Sequence, residues 1–173
     1  MGKIAFVFPG QGAQYPGMGR DFYENSEAAR ALIDSYESMA PGLIDMLFSS
    51  SEEELMRTEN TQRALYAVET AIQSAMKSLG IEASHAAGFS LGELSALASA
   101  GVFSYQEGFR IVSIRASLMQ KETEKLRTGM VAVLKLDDET VEKIASGFSD
   151  VYPVNYNSPG QVVVAAAEDR MEA

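Results

Sequence analysis

The stretch HAAGFSLGELSALASAG, His85 to Gly101, allows the backbone few paths. A short apolar run ends in Gly88-Phe89-Ser90-Leu91-Gly92, after which Leu91, Leu94 and Leu97 recur at helical spacing. The order predicts a strand over His85 to Phe89, a tight turn at Ser90 and a helix from Leu91. In such a G-x-S-x-G elbow the residues flanking the serine must be glycine, because side chains there would strike neighbouring backbone. The turn presents the serine hydroxyl at a helix start, where unpaired N–H groups and the positive end of the helix dipole favour developing negative charge. A plainer reading is a serine N-cap between incidental glycines. The strand before the elbow and the amphipathic helix after it favour the nucleophile.

The other segments fit the same architecture. Lys3 to Phe8 is an apolar run stopped by Pro9-Gly10, which reads as a buried strand, and the glycine-rich loop PGQGAQYPGMG follows it. Helices are expected over Ser26 to Ala40, over Glu52 to Arg57 behind the capping pair Ser51 and Glu54, and over Thr61 to Leu79, with Gly80 as stop. A further capping pair, Ser104 and Glu107, heads a long helix to about Leu126. Alternating strands and helices imply an α/β chain built on an open parallel sheet. From Thr128 the pattern changes: MVAVLKL reads as a strand, DDETVEKIASGF as a helix, VYPVNYN as a strand, NSPG as a turn and QVVVAAA as a strand. EDRMEA reads as the first turn of another helix. The expected division is therefore residues 1–127 and 128–173, the second a β-α-β-β unit cut short of a complete split β-α-β sandwich.

Composition removes several function classes. A net charge of −10, with 14 Lys and Arg and no basic block, argues against nucleic-acid binding and against anionic membranes. No cysteine is present, which excludes disulfides, thiolate metal sites and thiol catalysis, and the single histidine makes an imidazole metal site improbable. The apolar run before Pro9 is too short for a signal peptide, and no window approaches a membrane span. The expectation is a cytoplasmic protein without a bound metal or cofactor.

Ser90 needs a base, and the histidine is badly placed. His85 precedes Ser90 by five residues, about 16 Å along a strand, whereas a serine–histidine hydrogen bond spans about 3 Å. Either the base lies outside this chain or Ser90 is not catalytic. Arg115 falls three or four residues from Ile111, Val112, Leu118 and Met119, on an apolar helix face, where a cation requires an anionic partner. The partner is either a local carboxylate or a substrate carboxylate gripped by the planar guanidinium fork. Gly10-Gln11-Gly12 begins a dinucleotide fingerprint, but Tyr15 stands at its third glycine position, so the loop better suits backbone N–H groups facing an oxyanion. Asn155, Asn157 and Gln161 read as hairpin-turn residues.

FPGQGAQYPGMG, TENTQRALYAVE, GFSLGELSAL, RASLMQ, TGMVAVL and NYNSPGQVVVA together resemble, in order, the N-terminal part of the malonyl-CoA:acyl carrier protein transacylases. The resemblance implies an α/β-hydrolase-like parallel-sheet subdomain with an inserted ferredoxin-like subdomain, incomplete in this sequence. It implies Ser90 as the acylated nucleophile and the backbone N–H groups of Gln11 and Leu91 as oxyanion hole. Arg115 would clasp the malonyl carboxylate, with Gln62, Asn157 and Phe89 lining the acyl site. Phe89 departs from the histidine that many relatives carry there. The family's catalytic histidine lies beyond residue 173, so a C-terminal continuation or second chain is expected to supply it. Implied partners are malonyl-CoA as substrate and acyl carrier protein as acceptor. Met1 running straight into the first strand favours a free-standing enzyme of fatty acid synthesis. A trans-acting polyketide acyltransferase, a serine esterase or thioesterase, and a non-catalytic binding fragment are the alternatives.

Overall fold

The structure, a computed structural model, describes residues 3–125 and 127–170. It divides into two compact units, Met1–Gln120 and Lys121–Ala173, so the boundary falls slightly before the expected 127/128 division.

In the first unit two short strands, β1 (Ala5–Phe8) and β2 (His85–Gly88), pair in parallel, Ala5 opposite His85 and Phe8 opposite Gly88. Between them run α1 (Arg20–Asn25), α2 (Glu27–Met39), α3 (Leu43–Ser49), α4 (Glu52–Met56) and α5 (Thr58–Ser78); α6 (Leu91–Ser99) and α7 (Tyr105–Lys125) follow β2, the last turn of α7 lying past the unit's end at Gln120. The expected capping pairs explain several starts. Ser51 accepts from the Glu54 N–H at 3.2 Å, and Ser26, outside the expected pairs, likewise accepts from the Ala29 N–H at 3.3 Å. Ser104 and Glu107 complete both arms of a capping box: the Ser104 hydroxyl accepts from Glu107 N–H at 3.2 Å, and Ser104 N–H donates to the Glu107 carboxylate at 2.9 Å. This reciprocal pairing holds the Glu107 carboxyl below its ordinary range.

The sequence reading needs correction at several boundaries. It missed α1 and α3, whose six and seven residues are too few to display a helical period and whose N-caps, Gly19 and Gly42, are in the left-handed region at φ 76° and 94°. α5 begins three residues before the expected Thr61, and β1 begins at Ala5, two after Lys3. β2 ends at Gly88, leaving Phe89 in the turn. The predicted helix end at Leu126 lies outside the described residues.

α5 is the frame of this unit. Twelve of its 21 residues are buried, among them Leu65, Tyr66, Val68, Ala71 and Ala75. Tyr36 of α2 stacks on Phe109 of α7 with ring centroids 4.4 Å apart, and its hydroxyl lies 2.9 Å from that of Thr70 on α5. Burial drives the Tyr36 and Tyr66 hydroxyls far above the ordinary phenol range, so both are neutral.

The second unit holds β3 (Thr128–Leu134), α8 (Asp138–Ala145), β4 (Val151–Ser158) and β5 (Gln161–Ala167). The sheet order is β3-β5-β4, with β5 antiparallel to both neighbours. β3 thus occupies 128–134 where 130–136 was expected, and it stops before Lys135, at φ 66°. Asp137 caps α8 by accepting from Thr140 N–H at 2.8 Å. Asn155, Asn157 and Gln161, read as turn residues, are strand residues; the turn is only Pro159-Gly160, with Gly160 at φ 76°. β4 is the expected strand VYPVNYN extended by Ser158, and its ladder is irregular, with register shifts between Pro153 and Asn155 and between Tyr156 and Ser158. The EDRMEA segment forms a 3-10 turn over Glu168–Arg170, and its last residues lie outside those described.

Candidate active site

Because β1 and β2 are parallel and in register, the chain leaves both at the same end. Pro9 to Gln11 departs from one strand and Phe89 to Leu91 from the other. Crevices at the carboxyl ends of parallel strands are where open α/β sheets hold ligands. The two departures touch: a Cβ added to Gly10 would lie 2.7 Å from the Phe89 carbonyl oxygen.

The elbow has the expected strain. Ser90 sits at φ 52° and ψ −101°, outside the regions an L residue favours, at a cost of about 1–3 kcal/mol. Gly92 N–H donates to the Phe89 carbonyl at 2.9 Å and Glu93 N–H to the Ser90 carbonyl at 3.3 Å, closing the turn into α6. Both flanking glycines are required by space. A Cβ on Gly88 would overlap the Gly92 carbonyl, and one on Gly92 would overlap the carbonyl oxygens of Phe8 and Pro9. Ser90 itself is exposed, Leu91 buries its side chain completely, and Phe89 is exposed beside the nucleophile.

Arg115, 25 residues later, reaches the same hydroxyl. Its Nη2 donates to Ser90 Oγ at 3.2 Å, while Nη1 donates to the Gln62 side-chain oxygen. Gln62 is fully buried on α5, and its amide NH₂ also lies 3.2 Å from the Met119 sulfur. Among the described residues no carboxylate lies within ion-pair distance of Arg115; the pairs found are Arg20–Glu24, Arg63–Glu59 and Lys125–Glu122. The local salt bridge is therefore not the partner. Arg115 is half-buried, because Ile111, Leu118 and Met119 on its helix face are exposed and only Val112 is buried, so the face is apolar without being core. Gln11 projects from the β1 loop and donates to the Thr58 hydroxyl at 3.4 Å, which ties the loop to the start of α5.

His85 does not approach this group. It occupies the first position of β2, and its Nδ1 lies 2.9 Å from the Ser84 hydroxyl. Asn157 lies in β4 of the second unit. The structure thus brings Ser90, Arg115 and Gln62 into direct contact, with Gln11, Phe89 and Leu91 alongside. No group of three or more metal-ligating side chains forms among the described residues, and no helix there is long and apolar enough to cross a membrane.

The elbow thus places a serine hydroxyl against a guanidinium that has no carboxylate partner among the described residues, and comparison with known proteins gives the family. The acyl transferase domain family matches residues 5–173. This chain belongs to that family. Among curated members, the malonyl CoA-acyl carrier protein transacylase of Bacillus subtilis (strain 168) is 36% identical over 177 residues, covering 99% of this chain and 56% of the relative. The crystal structure of the corresponding transacylase from Clostridium perfringens superposes with a TM-score of 0.89 at 36% identity, covering 99% of this chain and 55% of that one. A type II PKS acyl-carrier protein in complex with its malonyl-transacylase gives 0.89 at 35% identity, covering 99% and 57%. The chain spans about half the length of the acyl transferase relatives it matches.

Sequence reasoning did not find the role of Gln62 in holding Arg115. The family resemblance carried Gln62 to the site, but its partner 53 residues away is set by how α5 and α7 pack. Thr58, Glu69 and Ser95 were not singled out either; no local spacing marks them.

Proposed function

We propose that this domain transfers a malonyl group from coenzyme A to the phosphopantetheine thiol of acyl carrier protein through a malonyl-serine at Ser90, in fatty acid synthesis in the cytoplasm. The observation that carries the proposal is the Arg115 guanidinium, without a carboxylate partner among the described residues, 3.2 Å from Ser90 Oγ. A carboxylate that takes over the fork is held next to the nucleophile, so the acyl carbonyl it belongs to must be a short distance away. Malonyl, with one methylene between carboxylate and thioester carbonyl, meets that requirement. Acetyl has no group for the fork.

In this reading Ser90 Oγ attacks the thioester carbonyl while its proton passes to a base. The Gln11 and Leu91 N–H groups face the oxyanion; Leu91 opens α6, where helix geometry leaves N–H groups without intrahelical partners. The carbon–sulfur bond breaks, and the coenzyme A thiolate leaves with the proton returned by the base. The carrier thiol then attacks the malonyl-serine and the same proton relay runs in reverse. The base is a histidine from outside these 173 residues, supported by the position of His85 at Ser84. Phe89 lines the acyl site. We further read residues 1–127 as α/β-hydrolase-like and 128–173 as part of a ferredoxin-like subdomain, which the β3-β5-β4 antiparallel order supports.

The test is transfer of labelled malonyl from malonyl-CoA to holo acyl carrier protein. We expect negligible transfer by the 173-residue chain alone and transfer when the C-terminal part of the Bacillus subtilis relative is supplied. Full turnover by the chain alone would place the base among these residues and overturn this assignment.

A further inference from the structure

One stripe of α5 carries four polar side chains, Thr58, Gln62, Glu69 and Gln73, spaced four, seven and four residues apart and therefore on one helix face. Each is bonded to a different part of the site. Thr58 holds the Gln11 loop and Gln62 holds Arg115. Glu69 accepts from the Ser95 hydroxyl at 2.5 Å, and the Gln73 amide lies 2.5 Å from the Ser99 hydroxyl. Ser95 and Ser99 are themselves one turn apart on α6, the nine-residue helix that begins at the nucleophile. The last two bonds are thus successive rungs between α5 and α6. They are also costly to build: Glu69 is 8% exposed, Gln73 4% and Ser95 0%, and the second carboxylate oxygen of Glu69 and the amide oxygen of Gln73 are buried without a partner.

We propose that Glu69 is a positioning residue for Ser90, acting through Ser95 to hold the nucleophile helix on the same frame that holds Arg115. The proposal rests on Ser90 being the acylated nucleophile. α6 is only nine residues long and starts from a strained residue whose side chain makes no capping bond. Packing against α5 therefore fixes its direction, and with it the Leu91 N–H and the distance from Ser90 to Arg115. A buried carboxylate where Ser95 needs only an acceptor is otherwise a pure liability.

The rung responds to protons. Burial pushes the Glu69 carboxyl up to about 7, and the Ser95 hydrogen bond draws it only partly back. The titratable groups around it are Tyr66 one turn earlier on α5, Asp21 of α1 and Tyr15 across an apolar cavity of about 400 Å³, and exposed Glu93 on α6; none is cationic. When α6 lifts off, Glu69 meets water and returns to the ordinary carboxylate range. The docked state then binds the proton more tightly than the undocked one, so docking weakens as pH rises from about 4.5 to about 7 and is constant above that.

Backbone amide exchange of the 173-residue chain, corrected for intrinsic rates, reads this directly. At pH 6, Glu69→Ala and Ser95→Ala should each speed exchange over Leu91–Ser99 by about tenfold, the equivalent of one buried hydrogen bond, with Ala29–Tyr36 of α2 unchanged. Wild type should lose α6 protection between pH 5 and 7, and Glu69→Gln, which keeps the hydrogen bond but not the charge, should be flat. Should Glu69→Ala fail to fold, the pH profiles of wild type and Glu69→Gln decide alone. Identical pH profiles in those two proteins would overturn the rung. With the C-terminal part of the relative supplied, Glu69→Ala should slow malonyl-serine formation at saturating malonyl-CoA without raising the concentration needed for saturation. Absence of malonyl-serine from every protein, with α6 exchange behaving as described, would overturn the proposed function and leave the rung standing.

Discussion

Gly92→Ala is expected to destabilise the first unit by at least about 3 kcal/mol and to lower its melting temperature by roughly 6 to 12 °C. The cause is spatial. Gly92 has an ordinary helical backbone, so alanine would gain up to about 1 kcal/mol in propensity. Against that gain, its Cβ would enter the space of the Phe8 and Pro9 carbonyl oxygens, and those are backbone atoms at the end of a paired strand that cannot swing aside. Relief requires α6 to move away from β1, which breaks the elbow that Ser90 occupies. Gly88→Ala should behave similarly, since its Cβ would overlap the Gly92 carbonyl. Thermal unfolding followed by circular dichroism checks both. Gly12→Ala is the control, because open space surrounds that position and only its backbone angle, φ 112°, is strained. A Gly92→Ala protein as stable as wild type would mean that strand and helix do not approach as closely as described.

Arg115→Ala should reduce malonyl transfer by roughly ten- to a hundredfold while changing acetyl transfer far less. The expected loss is that of charge-assisted hydrogen bonds to a carboxylate, about 1.5–3 kcal/mol. Arg115→Lys should recover little, since a single ammonium cannot replace a fork that spans Gln62 and Ser90. The comparison of two acyl groups removes general effects on folding or on Ser90. An equal loss of malonyl and acetyl transfer would make Arg115 a structural tie between α5 and α7.

The elements that carry Ser90 were legible in the sequence because local rules decide them. Glycines at 88 and 92 could be read as steric necessities from the G-x-S-x-G spacing alone, and the structure supplies the overlapping atoms. Capping serines 51 and 104 announced their helices for a similar reason: the bond that starts a helix is made within three residues. What was missed depends on distant packing or on short segments. α1 and α3 have too few turns to show a period, and Asn155 and Asn157 carry turn-like chemistry although both lie within β4. The bond from Arg115 to Gln62 crosses 53 positions and the rung from Glu69 to Ser95 crosses 26, so neither has a local signature. Exclusion worked better than assignment for the base. Five residues of strand geometry sufficed to separate His85 from Ser90, and the structure gives His85 a neighbour of its own in Ser84.

The central claim is that Ser90 becomes a malonyl ester. Intact-mass analysis after incubation with malonyl-CoA, with the C-terminal part of the Bacillus subtilis relative supplied, tests it most directly. The account predicts that wild type gains the mass of one malonyl group, mapped by peptide fragmentation to Ser90, and that Ser90→Ala gains nothing. A malonyl adduct of equal yield on Ser90→Ala, or one mapped to another residue in wild type, would contradict it.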